Sequence, residues 1–316
     1  MYKQPINHKE IIIHIGYQKT ASTYLQNEFF PRFTDKILRF GWPILRLLQQ
    51  PTDQFDSYSF RNIIEPSLKN VRSIIISQEE LSGAPLGTRG ESYGNNIAFR
   101  FARNLSIVFP DAKIIIIIRK QCDYLISLYN YRVTVKAIEY RSFNEFIADT
   151  FKEDLKKKLS YDLLVREYIK LFSINNVLVL PFEMLNDFPN RFHEILGDFV
   201  GRKHDGKIIS RKNRVNKSYG NPNIVNSCRK LNRIALIIIN FVRKKIGFEF
   251  IGIRIRKYWG RVVKTIVSPL LSRVYRNKKN SKVYKHFEKR IMILYERSNR
   301  NLSQLTKIDL SDYNYY

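Results

Sequence analysis

Ile11-Ile12-Ile13-His14-Ile15-Gly16-Tyr17-Gln18-Lys19-Thr20-Ala21-Ser22-Thr23-Tyr24-Leu25 is the stretch around which the chain is organised. It opens as an apolar, β-branched run, turns through a short polar loop holding one lysine and several hydroxyls, and ends where an amphipathic helix can begin. A strand, a polar loop and a helix N-terminus in that order make an anion-binding unit. Backbone N–H groups without intrahelical partners point outward there, and the helix dipole favours negative charge.

Three further runs repeat the strand signal: Ser73-Ile74-Ile75-Ile76-Ser77, Lys113-Ile114-Ile115-Ile116-Ile117-Ile118 and Val177-Leu178-Val179-Leu180. Each is continuously apolar rather than alternating, the pattern of strands buried on both faces. Helical periodicity lies between them, over residues 22–30, 95–109, 123–135 and 161–172. Strands alternating with helices predict an α/β fold: a P-loop-like open parallel sheet flanked by helices, here with a basic helical C-terminal extension. Ligands of such sheets sit beyond the carboxyl ends of the strands. The residues there are 16–22, 77–80, Arg119 and Phe182-Glu183, a convergent set of lysine, hydroxyls, carboxylates and arginine.

The 316 residues, 44% of them hydrophobic, suffice for a large core. Two cysteines, Cys122 and Cys228, cannot build a disulfide framework, so a reducing, cytoplasmic setting is expected. Met1 to Lys9 is polar and the apolar run after it is too short for a secretory signal. No apolar run reaches membrane-spanning length; the longest, residues 234–242, contains Asn240 and runs into Arg243-Lys244-Lys245. The net charge of +27 is unevenly spread, because residues 201–300 hold 28 Lys and Arg against 4 Asp and Glu. That third of the chain would attract a polyanion or an anionic membrane face. Its apolar residues Ile234, Leu236, Ile237, Phe241 and Ile246 are expected to pack inward, with the cations outside.

The first loop is not a triphosphate loop. Laying Gly-x4-Gly-Lys-Ser/Thr on Gly16 puts Ala21 at the second glycine and Ser22 at the lysine, and only Thr23 fits. The lysine lies earlier, at Lys19, and the third strand ends in Arg119 rather than an aspartate. Histidines 8, 14, 193, 204 and 286 have no metal-ligand spacing, so no metal is expected.

His14-Ile15-Gly16 and Lys19-Thr20-Ala21-Ser22-Thr23 resemble the 5′-phosphosulfate loop of sulfotransferases that use 3′-phosphoadenosine 5′-phosphosulfate, with Ala21 in place of the usual glycine. An alanine is penalised wherever φ is positive. Family members also carry an arginine at the end of a later strand and a serine eight positions on, which together bind the 3′-phosphate; Arg119 and Ser127 match that pair. Ile75-Ile76-Ser77-Gln78-Glu79-Glu80-Leu81-Ser82 and Val179-Leu180-Pro181-Phe182-Glu183-Met184-Leu185 resemble later strand-end segments of bacterial and heparan-type members. Residues 295–313 resemble the closing helix and tail of bacterial members. The likeness leaves residues 223–282 without a counterpart.

The resemblance implies that Lys19 stabilises the leaving group while Lys19, Thr20, Ser22 and Thr23 hold the 5′-phosphosulfate. Glu79, with Glu80 as second choice, takes the proton from an acceptor hydroxyl, and adjacent residues on an extended segment would put only one of them in the site. His14 and Glu183 read as structural, and Arg211, Arg214 and Ser218 as a basic loop. The expected organisation is a nucleotide-binding core at 1–220, a basic, mostly helical insertion or acceptor-side region at 221–285, and a C-terminal helix and tail at 286–316 packing on the core. The expected acceptor is a carbohydrate or glycolipid, with peripheral contact to the inner face of the membrane; nucleic acid is not expected as a partner. Two alternatives remain: a P-loop kinase-like phosphotransferase, and a non-enzymatic polyanion-binding protein working through the basic third.

Overall fold

The computed structural model describes residues 10–83, 95–134, 142–151, 153–201, 222–246, 258–267, 270 and 285–316. Its centre is a five-stranded, wholly parallel sheet in the order β2-β3-β1-β4-β5. The strands are β1 (Glu10–Gly16), β2 (Lys36–Leu38), β3 (Ser73–Ser77), β4 (Lys113–Ile118) and β5 (Val177–Pro181). The four expected from the sequence are all present. β2 is the addition: three half-buried residues at the sheet edge, too short to give a pattern of their own, and held by pairing Lys36 to Ile74 and Leu38 to Ile76.

The isoleucine runs form the middle of the core. Ile12, Ile13, Ile15, Ile74 to Ile76 and Ile114 to Ile118 are all at most 1% exposed, which is why these strands lack alternation. β1 lies between β3 and β4, with Ile13 opposite Ile76 on one side and Ile114 on the other. The chain runs from β1 outward to β2 and β3 on one side and then crosses to β4 on the other. The order therefore reverses at β1, and the crevice beyond its carboxyl end is where an open α/β sheet binds ligands.

The helical segment after β1 is irregular. An α-turn, α1 (Ser22–Tyr24), passes into a π-turn at Leu25–Phe29 and a 3₁₀ turn at Phe30–Arg32. Next come α2 (Trp42–Leu48), α3 (Ser57–Leu68), α4 (Asn95–Val108) and α5 (Gln121–Thr134), then α6 (Phe143–Thr150), α7 (Glu153–Lys158) and α8 (Tyr161–Phe172). Last come the short α9 (Phe182–Asp187), then α10 (Pro189–Phe199), α11 (Pro222–Ile246) and α12 (Lys285–Thr306). Helices expected at 95–109, 123–135 and 161–172 thus appear within two residues of their expected ends.

The chain divides into two compact units. The first comprises residues 1–121, 152–215 and 292–316, and holds the sheet. Its C-terminal helix is fastened by buried polar groups. Asn299 donates from Nδ2 to the Tyr315 carbonyl at 3.0 Å and accepts from Gln121 Nε2 at 2.8 Å, while Ser298 Oγ donates to Asp162. The second unit comprises residues 122–151 and 216–291. Within it Tyr129, Val133, Phe146, Val225, Cys228, Val263 and Ile291 are buried. Asn232, fully buried, donates to the Val133 carbonyl at 2.9 Å and accepts from Trp259 Nε1 at 2.9 Å, so its amide is satisfied on both sides.

One expectation for this unit is corrected. Ile234, Ile237 and Phe241 do not pack inward; they are 55%, 62% and 60% exposed. α11 buries the opposite face, through Val225, Cys228 and Asn232.

Candidate active site

The loop after β1 is shaped by two left-handed residues, Lys19 at φ 70° and Ala21 at φ 64°. They curl the chain so that successive N–H groups turn toward a common side, as in anion-binding nests. Gly16 is required for a different reason. A Cβ there would lie 2.5 Å from Ser22 Oγ and 3.1 Å from His14 Cε1, so the loop and the first turn of α1 close directly over the strand end. Thr20 is buried and its hydroxyl donates to the Tyr17 carbonyl, tightening the same turn. Ser22 is buried as well, whereas Lys19 and Thr23 are half-buried.

Arg119, at the end of β4, reaches this loop. Its Nη1 donates to the Lys19 carbonyl at 2.9 Å, and its guanidinium lies 4.9 Å from the Phe182 ring centroid. Its own carbonyl accepts from the Tyr161 hydroxyl at 2.6 Å. One polar atom of this cluster, Arg119 Nε, is buried with no hydrogen-bond partner among the described residues, and the Ser22 hydroxyl beside it acts on the Glu79 carboxyl. Buried donors normally have partners, so a donor of this kind beside a loop of curled N–H groups suits an anionic ligand. Ser127, eight residues after Arg119, is buried on α5 within the second unit.

Glu79 and Glu80 do not sit on an extended segment, as the sequence suggested; they open a 3₁₀ turn, Glu79–Ser82, directly after β3. Successive side chains on such a turn diverge by about a third of a revolution rather than pointing to opposite sides. Burial pushes the Glu79 carboxyl above its ordinary pKa, with the Glu80 charge adding to the rise. The Ser22 hydroxyl and the charges of Lys19 and Arg39 pull it partly back. That set of influences puts Glu79 beside the first loop. Glu80 instead accepts a hydrogen bond from Gln78 Nε2, and Gln78 Oε1 accepts from the Phe40 backbone N–H at 2.9 Å.

The sequence reading missed Lys158. Its side chain is buried, its Nζ donates to the Gly83 carbonyl at 2.8 Å and lies 5.9 Å from the Tyr17 ring centroid. Burial lowers its pKa to about 8, while the Glu79 and Glu80 carboxylates act in the opposite direction. In the sequence it ends the run Lys156-Lys157-Lys158, which has the appearance of a solvated helix face. Only the docking of α7 singles out its last lysine. Tyr17 was equally silent; its ring meets Tyr161 edge-on at 4.7 Å and forms a wall of the cluster.

His14 and Glu183 have the structural roles expected of them. His14 is fully buried in β1, its Nδ1 2.7 Å from Ser77 Oγ, and burial lowers its pKa to about 3, so it stays neutral. Glu183 accepts from the Lys120 backbone N–H at 3.0 Å and from the Tyr315 hydroxyl at 2.8 Å. It thereby fixes the segment between Arg119 and α5. Arg211, Arg214 and Ser218 lie outside the described residues, and among the described residues no cluster of His, Cys, Asp and Glu has the form of a metal site.

Residues 102–234 match the family model described as the sulfotransferase domain, a span that includes Arg119 and Ser127 and begins after the β1 loop. No curated protein matches the chain in sequence. Among solved structures, a sulfotransferase from Alicyclobacillus acidocaldarius is similar at 15% identity, with 63% of this chain and 83% of that chain covered and a TM-score of 0.44. Mouse sulfotransferase SULT7A1 complexed with PAP is similar at 17% identity, over 62% of this chain and 60% of that chain, with a TM-score of 0.38.

Proposed function

We propose that this chain, an enzyme carrying a sulfotransferase domain, moves a sulfonate group from 3′-phosphoadenosine 5′-phosphosulfate to a hydroxyl of a carbohydrate or glycolipid acceptor. The observation that carries the reading is the bond from Arg119 to the Lys19 carbonyl. It joins a second anion-binding side chain to the loop beyond β1, and a donor with phosphates at both 3′ and 5′ positions calls for two such grips.

In this reading the N–H groups of residues 19–23, with Thr20, Ser22 and Thr23, hold the 5′-phosphosulfate, and Arg119 with Ser127 holds the 3′-phosphate. The acceptor oxygen attacks sulfur as its proton passes to the Glu79 carboxylate. The bond from sulfur to the bridging oxygen breaks, and the Lys19 ammonium offsets the charge that develops on that oxygen. The products are a sulfate ester, the 3′,5′-bisphosphate and a protonated Glu79. A carboxylate whose pKa is raised by burial is a stronger base than a solvated one, which suits Glu79 to this role. Glu80 suits it less, since its carboxylate already accepts from Gln78. A reducing, cytoplasmic setting accords with Cys122 and Cys228, both buried thiols.

Calorimetry with 3′-phosphoadenosine 5′-phosphate tests the reading. Binding is expected to fall at least tenfold in Lys19→Ala and in Arg119→Ala, and to fall likewise for adenosine 5′-phosphate with the unsubstituted protein. Equal affinity for the two nucleotides would remove Arg119 from the 3′-phosphate role. Magnesium-dependent ATP turnover would replace the whole reading with a kinase.

A further inference from the structure

We infer that α11 docks this protein on an anionic lipid bilayer, lying in the surface of the membrane rather than crossing it. On a helix of 3.6 residues per turn, Ile234, Ile237, Ile238 and Phe241 fall on one stripe, at i, i+3, i+4 and i+7. Each is more than half exposed, at 55%, 62%, 56% and 60%. The buried residues Val225, Cys228 and Asn232 occupy the opposite face, so packing within the unit has already used the other side of the helix. Four large apolar side chains in a row on solvent, outside the core, mark an interaction surface.

Charge selects the partner. α11 carries six Lys and Arg and no Asp or Glu, including Arg229, Lys230 and Arg233 before the stripe and Arg243-Lys244-Lys245 after it. An apolar stripe bracketed by cations is the arrangement of a helix lying at the headgroup boundary, with its isoleucines among acyl chains and its cations against anionic headgroups. A soluble polyanion would neutralise the cations and leave the isoleucines wet. A second copy of the chain would bring one cationic helix against another. Among the described residues no helix is long and apolar enough to span a membrane, so α11 lies along the surface. This docking stands apart from the sulfonate-transfer reading and survives its failure.

The test is co-sedimentation of the full chain with vesicles of phosphatidylcholine alone and of phosphatidylcholine mixed with phosphatidylglycerol. The chain is expected to bind the mixed vesicles, to bind the neutral ones far less, and to be released as salt is raised. The double substitution Ile237→Glu and Ile238→Glu is expected to lower partitioning tenfold or more. Folding of the unit is followed separately by Trp259 fluorescence in a Trp42→Phe background, since Trp259 is hydrogen-bonded to Asn232. The milder pair Ile237→Ser and Ile238→Ser serves if the glutamates unfold the unit. Failure of the unsubstituted chain to bind the mixed vesicles overturns the inference. So does binding retained in the folded double variant, or a dimer in light scattering that those substitutions dissolve in the absence of vesicle binding.

Discussion

At the scale of single residues, Ala21 is the residue that the loop tolerates rather than prefers. It holds φ 64° and ψ 22°, a left-handed conformation costing an alanine about 1 kcal/mol relative to glycine. Ala21→Gly is therefore expected to stabilise the fold by about 0.5–1 kcal/mol in denaturant unfolding, the gain being reduced by glycine's greater freedom in the unfolded chain. Glu79 should behave in the opposite sense for function. Its folded-state pKa is raised by burial, so its ionisation costs stability, and that cost grows as pH rises through the folded pKa. Glu79→Gln is expected to raise the melting temperature at neutral pH while lowering turnover by about 10²–10⁴-fold. A variant that loses neither stability nor turnover would return Glu79 to being an ordinary buried carboxylate.

At the scale of elements, the strand-end segments are held in place by buried polar contacts between parts of the chain distant in sequence. Glu183, after β5, accepts from the N–H that precedes α5 and from the C-terminal Tyr315. Glu183→Ala leaves both donors without that acceptor and is expected to cost about 2–4 kcal/mol in denaturant unfolding. Since Arg119 adjoins Lys120, nucleotide affinity should weaken too. β4 gives a simpler case: Ile116 is fully buried between β1 and β5, and Ile116→Ala is expected to cost about 2–5 kcal/mol.

For the whole molecule, two buried bases contribute to the pH dependence of stability. Both have folded-state pKa values below their unfolded ones: His14 at about 3 against 6.5, and Lys158 at about 8 against 10.5. In each window the unfolded chain binds the additional proton, so stability rises with pH. Their contribution to stability should thus fall as pH drops from 6.5 toward 3, where the raised carboxyls of Glu79 and Glu183 act in the opposite sense, and should rise from pH 8 toward 10.5 by up to the slope of one proton. Urea titrations at a series of pH values measure both. The slope from pH 8 toward 10.5 should lessen in Lys158→Met and the acid slope should lessen in His14→Asn.

The local order of the chain was legible in the sequence because it depends on neighbours: short apolar, β-branched runs bounded by polar residues and separated by helical periodicity read as strands covered on both faces, and a lysine among hydroxyls after such a strand reads as a loop. The sheet class followed from that order, and the resemblance of the loop and of Arg119 with Ser127 to sulfotransferase motifs carried the expectation of sulfonate transfer. Tertiary structure decided what depends on distant segments. It brought Arg119 to the Lys19 carbonyl across 100 positions, buried Lys158 out of a run of identical lysines, and added a strand of three residues visible only through its pairing with β3. It also settled which side of α11 faces the core. Both sides carry apolar residues, and periodicity measures how apolar a face is without saying which neighbour covers it.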